Sequence, residues 1–157
     1  EPTQNIRSLG VKLKLSSTKT IVQNKSIILI DDSLVRGTTC HKIVKMLYES
    51  GAKEVHVRIA CPEIKYPDFY GVDMPSKKEL LANEKNNQEI CEYINAKTLK
   101  FLSLDGLYKA LVGEKRNANF PQFSDHYFTG DYPIKPSDSL QGLKIKQLSL
   151  LSGKSNS

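Results

Sequence analysis

The 157-residue chain contains no tryptophan and only three cysteines, Cys40, Cys61 and Cys91. Their spacing matches no zinc or iron–sulfur pattern, and the thiols are expected to be reduced core residues of a cytoplasmic protein. No apolar run approaches the roughly 20 residues that a membrane helix needs. The first residues lack the basic and apolar regions of a secretory signal. We therefore expect no membrane segment and no metal site built on these cysteines.

Charge is also unevenly distributed in this chain. The formal net charge is +6, and the hydrophobic and charged fractions of 39% and 25% are typical of a globular protein. Basic residues gather in 1–25 and 135–157, without a dense run or interleaved aromatic side chains. Such solvated ends do not predict a nucleic-acid partner. The chain starts without methionine, and we expect it to be a fragment or a processed product.

The most informative segment runs from Ile27 to Thr39. Ile27–Ile30 predict a strand buried on both faces. Asp31 and Asp32 follow, and then a short loop leads through Gly37 into an amphipathic helix. Loop amides and a helix N-terminus can donate hydrogen bonds to a phosphate, and carboxylates can accept them from vicinal hydroxyls or bind Mg²⁺. This order of elements predicts a site for a sugar phosphate at the carboxyl end of the strand.

Periodicity predicts an α/β protein with short parallel strands and right-handed crossovers. Thr38 or Thr39 is expected to cap the first of its core helices, and Leu111 is expected to face inward from the last. The predicted strands cover residues 26–31, 54–60 and 98–102, and the predicted helices cover 38–50, 77–83, 87–94 and 104–112. Ser76 with Glu79, and Asn86 with Glu89, form capping-box patterns. Three strands make a small sheet, so we expect further strands upstream or from another chain.

The segment from the apolar strand to Gly37-Thr38-Thr39 resembles the phosphoribosyl pyrophosphate (PRPP) motif of type I phosphoribosyltransferases. The segments 2–7, 12–15, 51–58, 66–75 and 128–130 further resemble the amidophosphoribosyltransferase family. The similarity covers about residues 1–133 and corresponds to the C-terminal part of the type I transferase domain. It implies a type I phosphoribosyltransferase-like parallel sheet flanked by helices, incomplete in this chain. The implied divisions are a mobile arm at 1–25, the transferase core at 26–113 and a C-terminal extension at 114–157.

The same resemblance assigns roles to individual residues. Asp31 and Asp32 would contact the ribose hydroxyls and Mg²⁺, and Lys14 would contact the pyrophosphate. The loop residues that would surround the 5′-phosphate are Ser33, Val35, Arg36, Gly37, Thr38 and Thr39. Two alternatives stay open, because the threonines could serve only as helix caps and Arg36 could contribute only its amide.

The implied reaction converts PRPP, glutamine and water to 5-phosphoribosylamine, glutamate and pyrophosphate, the first step of purine biosynthesis. Glutamine-derived ammonia would be the nucleophile, and purine nucleotides would be feedback inhibitors. The protein would assemble as a homo-oligomer. No catalytic cysteine is expected in this chain, which alone is expected to be inactive. Asp68 stands where cluster-containing members carry a cysteine, so no iron–sulfur cluster is expected. The alternatives are another type I transferase, acting in purine salvage, and a non-enzymatic regulator that senses PRPP.

Overall fold

A parallel three-stranded sheet forms the centre of the computed structural model, which describes residues 19–72 and 76–134. Strands β1 (Ser26–Asp31), β2 (Glu54–Ile59) and β3 (Thr98–Phe101) are hydrogen-bonded in that order. Ser26 lies opposite Glu54, and His56 lies opposite Thr98. The parallel α/β fold predicted from the sequence is confirmed. Lys14 and residues 1–18 of the arm predicted at 1–25 lie outside the described residues.

Helices connect and follow these strands. They are α1 (Lys19–Val22), α2 (Thr38–Glu49), a 3₁₀ helix (Lys77–Glu79), α3 (Leu81–Glu84), α4 (Asn87–Tyr93), α5 (Leu104–Val112) and α6 (His126–Thr129). The single helix predicted at 77–83 is interrupted at Leu80, which is fully buried and has extended backbone angles. Both predicted capping boxes are present, and they begin the 3₁₀ helix and α4.

One face of the sheet carries the hydrophobic core. Sequential strand order with right-handed crossovers places both connecting helices on the same face. Val44 of α2 and Ile90 of α4 accordingly belong to one buried cluster with Val55 and Val57 of β2. These four side chains are fully buried. Burial of each contributes about 1.5–3 kcal/mol, so this layer fixes β1 and the loop that follows it.

The opposite face of β1 is exposed. Ile28 and Ile30 are 64% and 73% accessible, whereas Ile27 and Leu29 pack against the core cluster. The prediction that β1 is buried on both faces is therefore wrong for the described residues. Alternating strand side chains point to opposite faces, and among residues 19–72 and 76–134 only one face of β1 is covered. Apolar residues at consecutive positions identified the strand but not which elements cover it.

Helix α5 begins at a serine cap, but not all of its predicted inward face is buried. The Ser103 hydroxyl accepts a 3.0 Å hydrogen bond from the Gly106 amide, and Tyr108 is buried. Leu111 is 61% exposed, so its predicted inward position is wrong. It lies in the last turn of the helix, just before the chain leaves the helix at Gly113. Helical periodicity gives the direction of the apolar face but not how far the covering elements extend.

Residues 125–134 pack against the loop that follows β2. The Tyr127 carbonyl accepts hydrogen bonds from the amides of Lys65 and Tyr66, at 2.9 and 3.1 Å. The Tyr132 hydroxyl donates to the Pro67 carbonyl at 2.9 Å. The first part of the predicted C-terminal extension is thus in contact with the rest of the fold. Within the described ranges, no helix is long and apolar enough to cross a membrane.

Candidate functional site

The carboxylate pair lies at the carboxyl end of β1. Asp31 is the last residue of the strand, and its Oδ1 accepts a 3.0 Å hydrogen bond from the Asp32 amide. Asp32 Oδ1 accepts hydrogen bonds from the Ser33 amide and hydroxyl, at 2.6 and 3.2 Å. Each aspartate therefore uses one oxygen to fix the backbone of the turn. The Oδ2 atoms make no hydrogen bond to the described part of the chain, so they are free to accept bonds from a ligand.

The residues after β1 surround a cavity. Its volume is about 350 Å³, and its lining consists of the continuous segment 31–40. All the site residues predicted from the sequence except Lys14 therefore lie around one space. Leu34 and Cys40 also line it, although the sequence analysis did not include them. Their side chains are buried, and they attach the cavity wall to the core.

Gly37 determines how the loop enters α2. It is the N-cap residue, with a φ of 71°, and no side chain caps this helix. The expectation that Thr38 or Thr39 provides the cap is therefore wrong, because both already lie in the first turn of the helix. Amides of a first helical turn have no acceptor within the helix. These amides, with the positive end of the helix dipole, form a site suited to an anion.

Leu81, from a later segment of the same chain, also holds this loop. The Leu81 amide donates a 2.9 Å hydrogen bond to the Val35 carbonyl. A Cβ atom at Gly37 would lie 2.6 Å from Leu81 Cδ2 and 3.1 Å from Tyr93 Cε1. Glycine is thus required here both by the left-handed backbone and by the space available.

The Arg36 side chain is engaged by an acidic partner. Its Nε and Nη2 atoms donate to Glu79 Oε1, at 3.2 and 2.9 Å. Both side chains are about half exposed. Because the guanidinium is already bonded to Glu79, this arrangement favours the alternative in which Arg36 contributes only its backbone amide.

The thiols near the cavity are poorly suited to nucleophilic chemistry. Burial, together with the nearby Asp31 carboxylate, raises the pKa of Cys40 to about 11. Burial also raises the pKa of Cys61, and the charges of Asp32 and Asp31 act in the same direction. Because a thiolate is the reactive form, both cysteines stay protonated near neutral pH. The structure thus agrees with the prediction that these are packing residues.

A buried contact between His126 and Asp68, away from the cavity, was not predicted from the sequence. His126 Nε2 lies 2.8 Å from Asp68 Oδ1, and both side chains are almost fully buried. Burial alone would raise the pKa of Asp68, but hydrogen bonds from the amides of Val72 and Tyr70 and from His126 lower it to about 2. The two residues are too far apart in sequence for any spacing pattern to connect them. The pair joins the loop after β2 to α6.

A second buried network supports the same region. Asp125 Oδ2 accepts hydrogen bonds from the Tyr108 hydroxyl at 2.8 Å and from Arg116 Nε at 2.6 Å. Burial alone would raise the pKa of Asp125, but these hydrogen bonds outweigh it, so the pKa lies below its ordinary value. The network connects α5 to the N-terminus of α6, so both helices have fixed positions.

This chain is similar to curated proteins over most of its length. A curated amidophosphoribosyltransferase of Rhizobium etli is 52% identical over 152 residues, which covers 96% of this chain and 31% of that protein. The Staphylococcus aureus relative of the same name is 50% identical over 133 residues, covering 85% of this chain and 27% of that protein. The chain belongs to the amidophosphoribosyltransferase family. The match lies in the C-terminal part of these proteins, which confirms the resemblance seen in the sequence.

Further relatives of this family give the same result. Amidophosphoribosyltransferase 1, chloroplastic, of Arabidopsis thaliana is 49% identical over 147 residues, covering 94% of this chain and 24% of that protein. The chain thus spans between 24% and 31% of the length of these curated relatives. A scan against protein-family models gives no match.

Solved structures support the fold assignment. The glutamine PRPP amidotransferase of B. subtilis, complexed with ADP and GMP, aligns with a TM-score of 0.68 at 40% identity and covers 85% of this chain and 29% of that one. A structure described as the allosteric regulatory enzyme of purine biosynthesis aligns with a TM-score of 0.67, also at 40% identity, and covers 85% of this chain and 28% of that one. The sheet of this chain is therefore the type I phosphoribosyltransferase-like sheet that the sequence analysis expected.

Proposed function

We propose that this chain supplies the 5′-phosphate and ribose part of the PRPP site in an amidophosphoribosyltransferase. The whole protein would convert PRPP, glutamine and water to 5-phosphoribosylamine, glutamate and pyrophosphate, the first step of purine biosynthesis. The observation that carries this proposal is the cavity lined by 31–40, which brings together a carboxylate pair and the start of a helix that no side chain caps. It occurs in a chain about 50% identical to proteins named for this activity.

Each group in the proposed site has a chemical role. Amides of Arg36, Gly37 and the first turn of α2 would donate hydrogen bonds to the 5′-phosphate, and the Thr38 and Thr39 hydroxyls would add to them. The free oxygens of Asp31 and Asp32 would accept bonds from the ribose hydroxyls. These contacts hold the sugar in place while ammonia attacks at C1 and pyrophosphate leaves. Catalysis by such a site depends on positioning and on stabilisation of charge.

The carboxylate pair is compatible with Mg²⁺. Magnesium in phosphate-transfer sites is commonly held by one or two carboxylates together with substrate oxygens and water. Asp31 and Asp32 are accessible and each keeps one oxygen free of bonds to the described residues. No group of three or more His, Cys, Asp or Glu residues within the described ranges forms a complete metal site. Magnesium would therefore be held jointly with PRPP, where it would neutralise charge on the departing pyrophosphate.

We also propose roles for residues and partners outside the described ranges. Lys14, which lies outside the described residues, would contact the pyrophosphate. Purine nucleotides are proposed as feedback inhibitors, since the solved B. subtilis relative is complexed with ADP and GMP. A homo-oligomer in the cytoplasm remains the expectation, although the Arabidopsis thaliana relatives are named as chloroplastic. We further propose that the arm ends at residue 25 and the transferase core at 113, with the extension after 113 packed on the core through Asp125 and Tyr127.

The test is PRPP-dependent pyrophosphate release by the full-length protein, with glutamine, ammonia or a purine base as acceptor. Release with glutamine or ammonia, accompanied by PRPP binding, is the expected result. Release only with a purine base would favour a salvage transferase, and binding without release under any condition would favour a PRPP-sensing regulator. Asp31→Asn/Asp32→Asn should retain the fold and lose most productive PRPP binding. Unchanged binding by that variant would contradict the assigned site.

A further inference from the structure

Residues 76–81, here called the bracing segment, lie beside the loop that lines the cavity. Two contacts join them, the ion pair between Arg36 and Glu79 and the 2.9 Å hydrogen bond from the Leu81 amide to the Val35 carbonyl. Arg36 and Val35 are adjacent in the loop, and both precede Gly37. The bracing segment therefore holds the part of the loop whose amides are proposed to bind phosphate.

The Glu79 carboxylate divides its two oxygens between the two segments. Oε2 accepts hydrogen bonds from the Ser76 amide and hydroxyl, at 3.0 and 2.9 Å. Oε1 accepts from Arg36 Nε and Nη2, at 3.2 and 2.9 Å. The first pair of bonds fixes the carboxylate on its own turn, and the second presents a fixed acceptor to the loop. A carboxylate held in this way is a pre-oriented partner rather than a mobile surface charge.

We infer that Glu79 is a positioning residue for the phosphate loop and acts through Arg36. Its bond to the guanidinium fixes the Arg36 backbone, so that the adjacent amides stay aligned for the 5′-phosphate. Glu79 contacts neither the sugar nor the reacting atoms in this scheme. The inference rests on the proposed function and adds to it a residue outside the segment 31–40.

The test compares variants of the full-length protein by PRPP affinity in Mg²⁺ and by steady-state kinetics. Glu79→Ala should weaken PRPP binding about two- to fivefold, the range expected when a half-exposed ion pair is lost. KM for PRPP should rise by the same factor while kcat stays unchanged. Arg36→Ala should weaken binding similarly, and the double variant should be no weaker than either single variant, because all three remove the same contact. Glu79→Gln, which keeps an acceptor for Arg36, should restore most of the affinity.

Two controls separate positioning from general stability. Ser76→Ala removes the hydroxyl that donates to Glu79 Oε2 but keeps the bond from the residue 76 amide, which still orients the carboxylate, and the Arg36 contact. It should therefore lower Tm without changing PRPP affinity. Glu49→Ala removes an ion pair with Lys45 that is also exposed, at 66% and 59%, and it should leave PRPP affinity unchanged.

Three results would overturn the inference while leaving the proposed function intact. One is Glu79→Ala binding PRPP as tightly as Glu49→Ala does. Another is additive loss in the double variant. The third is tighter binding by Glu79→Ala, which would show that Glu79 competes with phosphate for Arg36. Failure of the unmodified protein to bind PRPP would instead contradict the proposed function, and the role of Glu79 would fall with it.

Discussion

Replacement of Gly37 by alanine tests whether the loop is shaped by both backbone geometry and packing. The residue has a φ of +71°, and an added Cβ would lie 2.6 Å from Leu81 Cδ2, a side chain that is only 8% exposed. A left-handed alanine costs about 1–2 kcal/mol. Forcing a methyl group into a packed site costs about 1–3 kcal/mol, and the stiffer unfolded chain returns about 0.4–1 kcal/mol. The net loss of unfolding free energy should be about 3 kcal/mol.

Gly113→Ala provides the matched control for this prediction. Gly113 has a φ of +79°, but an added Cβ would meet nothing within 4 Å. Gly113→Ala should therefore lower the unfolding free energy only through backbone strain, by about 1 kcal/mol. Urea denaturation of both variants therefore isolates a packing contribution of about 2 kcal/mol at Gly37. In the Gly37→Ala background, Leu81→Ala should cost less than it does alone, because it removes the clashing atom. Equal destabilisation at Gly37 and Gly113, or strictly additive effects with Leu81→Ala, would refute the reasoning.

Other predictions concern the buried networks and the thiols. Tyr108→Phe should lower the unfolding free energy by about 1–2 kcal/mol, since it removes a buried hydrogen bond to Asp125; unchanged urea denaturation would contradict this. Asp68 has a folded pKa of about 2, below its ordinary value of 3.8, so its stabilising contribution should be present above pH 4 and lost as pH falls towards 2. Asp68→Asn should be less stable at pH 7 and lose less stability over that pH range, and an identical acid profile would refute the assignment. Cys40, with a pKa of about 11, should react with iodoacetamide at pH 8 far more slowly than a model thiol, and rapid labelling seen by mass spectrometry would argue against its burial.

Local signals in the sequence predicted the elements that surround the site. The apolar run before Asp31 identified β1, and the capping boxes at Ser76 and Asn86 identified two helix starts that the structure confirms. These features depend on neighbouring residues, so a single sequence contains the required information. The segment 31–39 was predicted for the same reason, since its residues are consecutive and together line one cavity.

Long-range partners could not be predicted in this way. Arg36 and Glu79, or Asp68 and His126, are brought together only by the folded chain, and no spacing rule links them. The N-cap at Gly37 was missed because a threonine side chain can cap a helix and glycine is only modestly enriched at this position, whereas here the left-handed loop places glycine there. Exposure of Ile28 and Ile30 was missed because an apolar run does not reveal whether both faces of a strand are covered.

The most direct test of the central claim is a crystal structure of the full-length protein with PRPP and Mg²⁺ at saturating concentration. We expect the 5′-phosphate in the cavity lined by 31–40, with its oxygens about 2.7–3.2 Å from the amides of residues 36–39. The ribose hydroxyls should donate to Asp31 and Asp32. PRPP bound elsewhere, or a cavity left empty at saturation, would contradict the account.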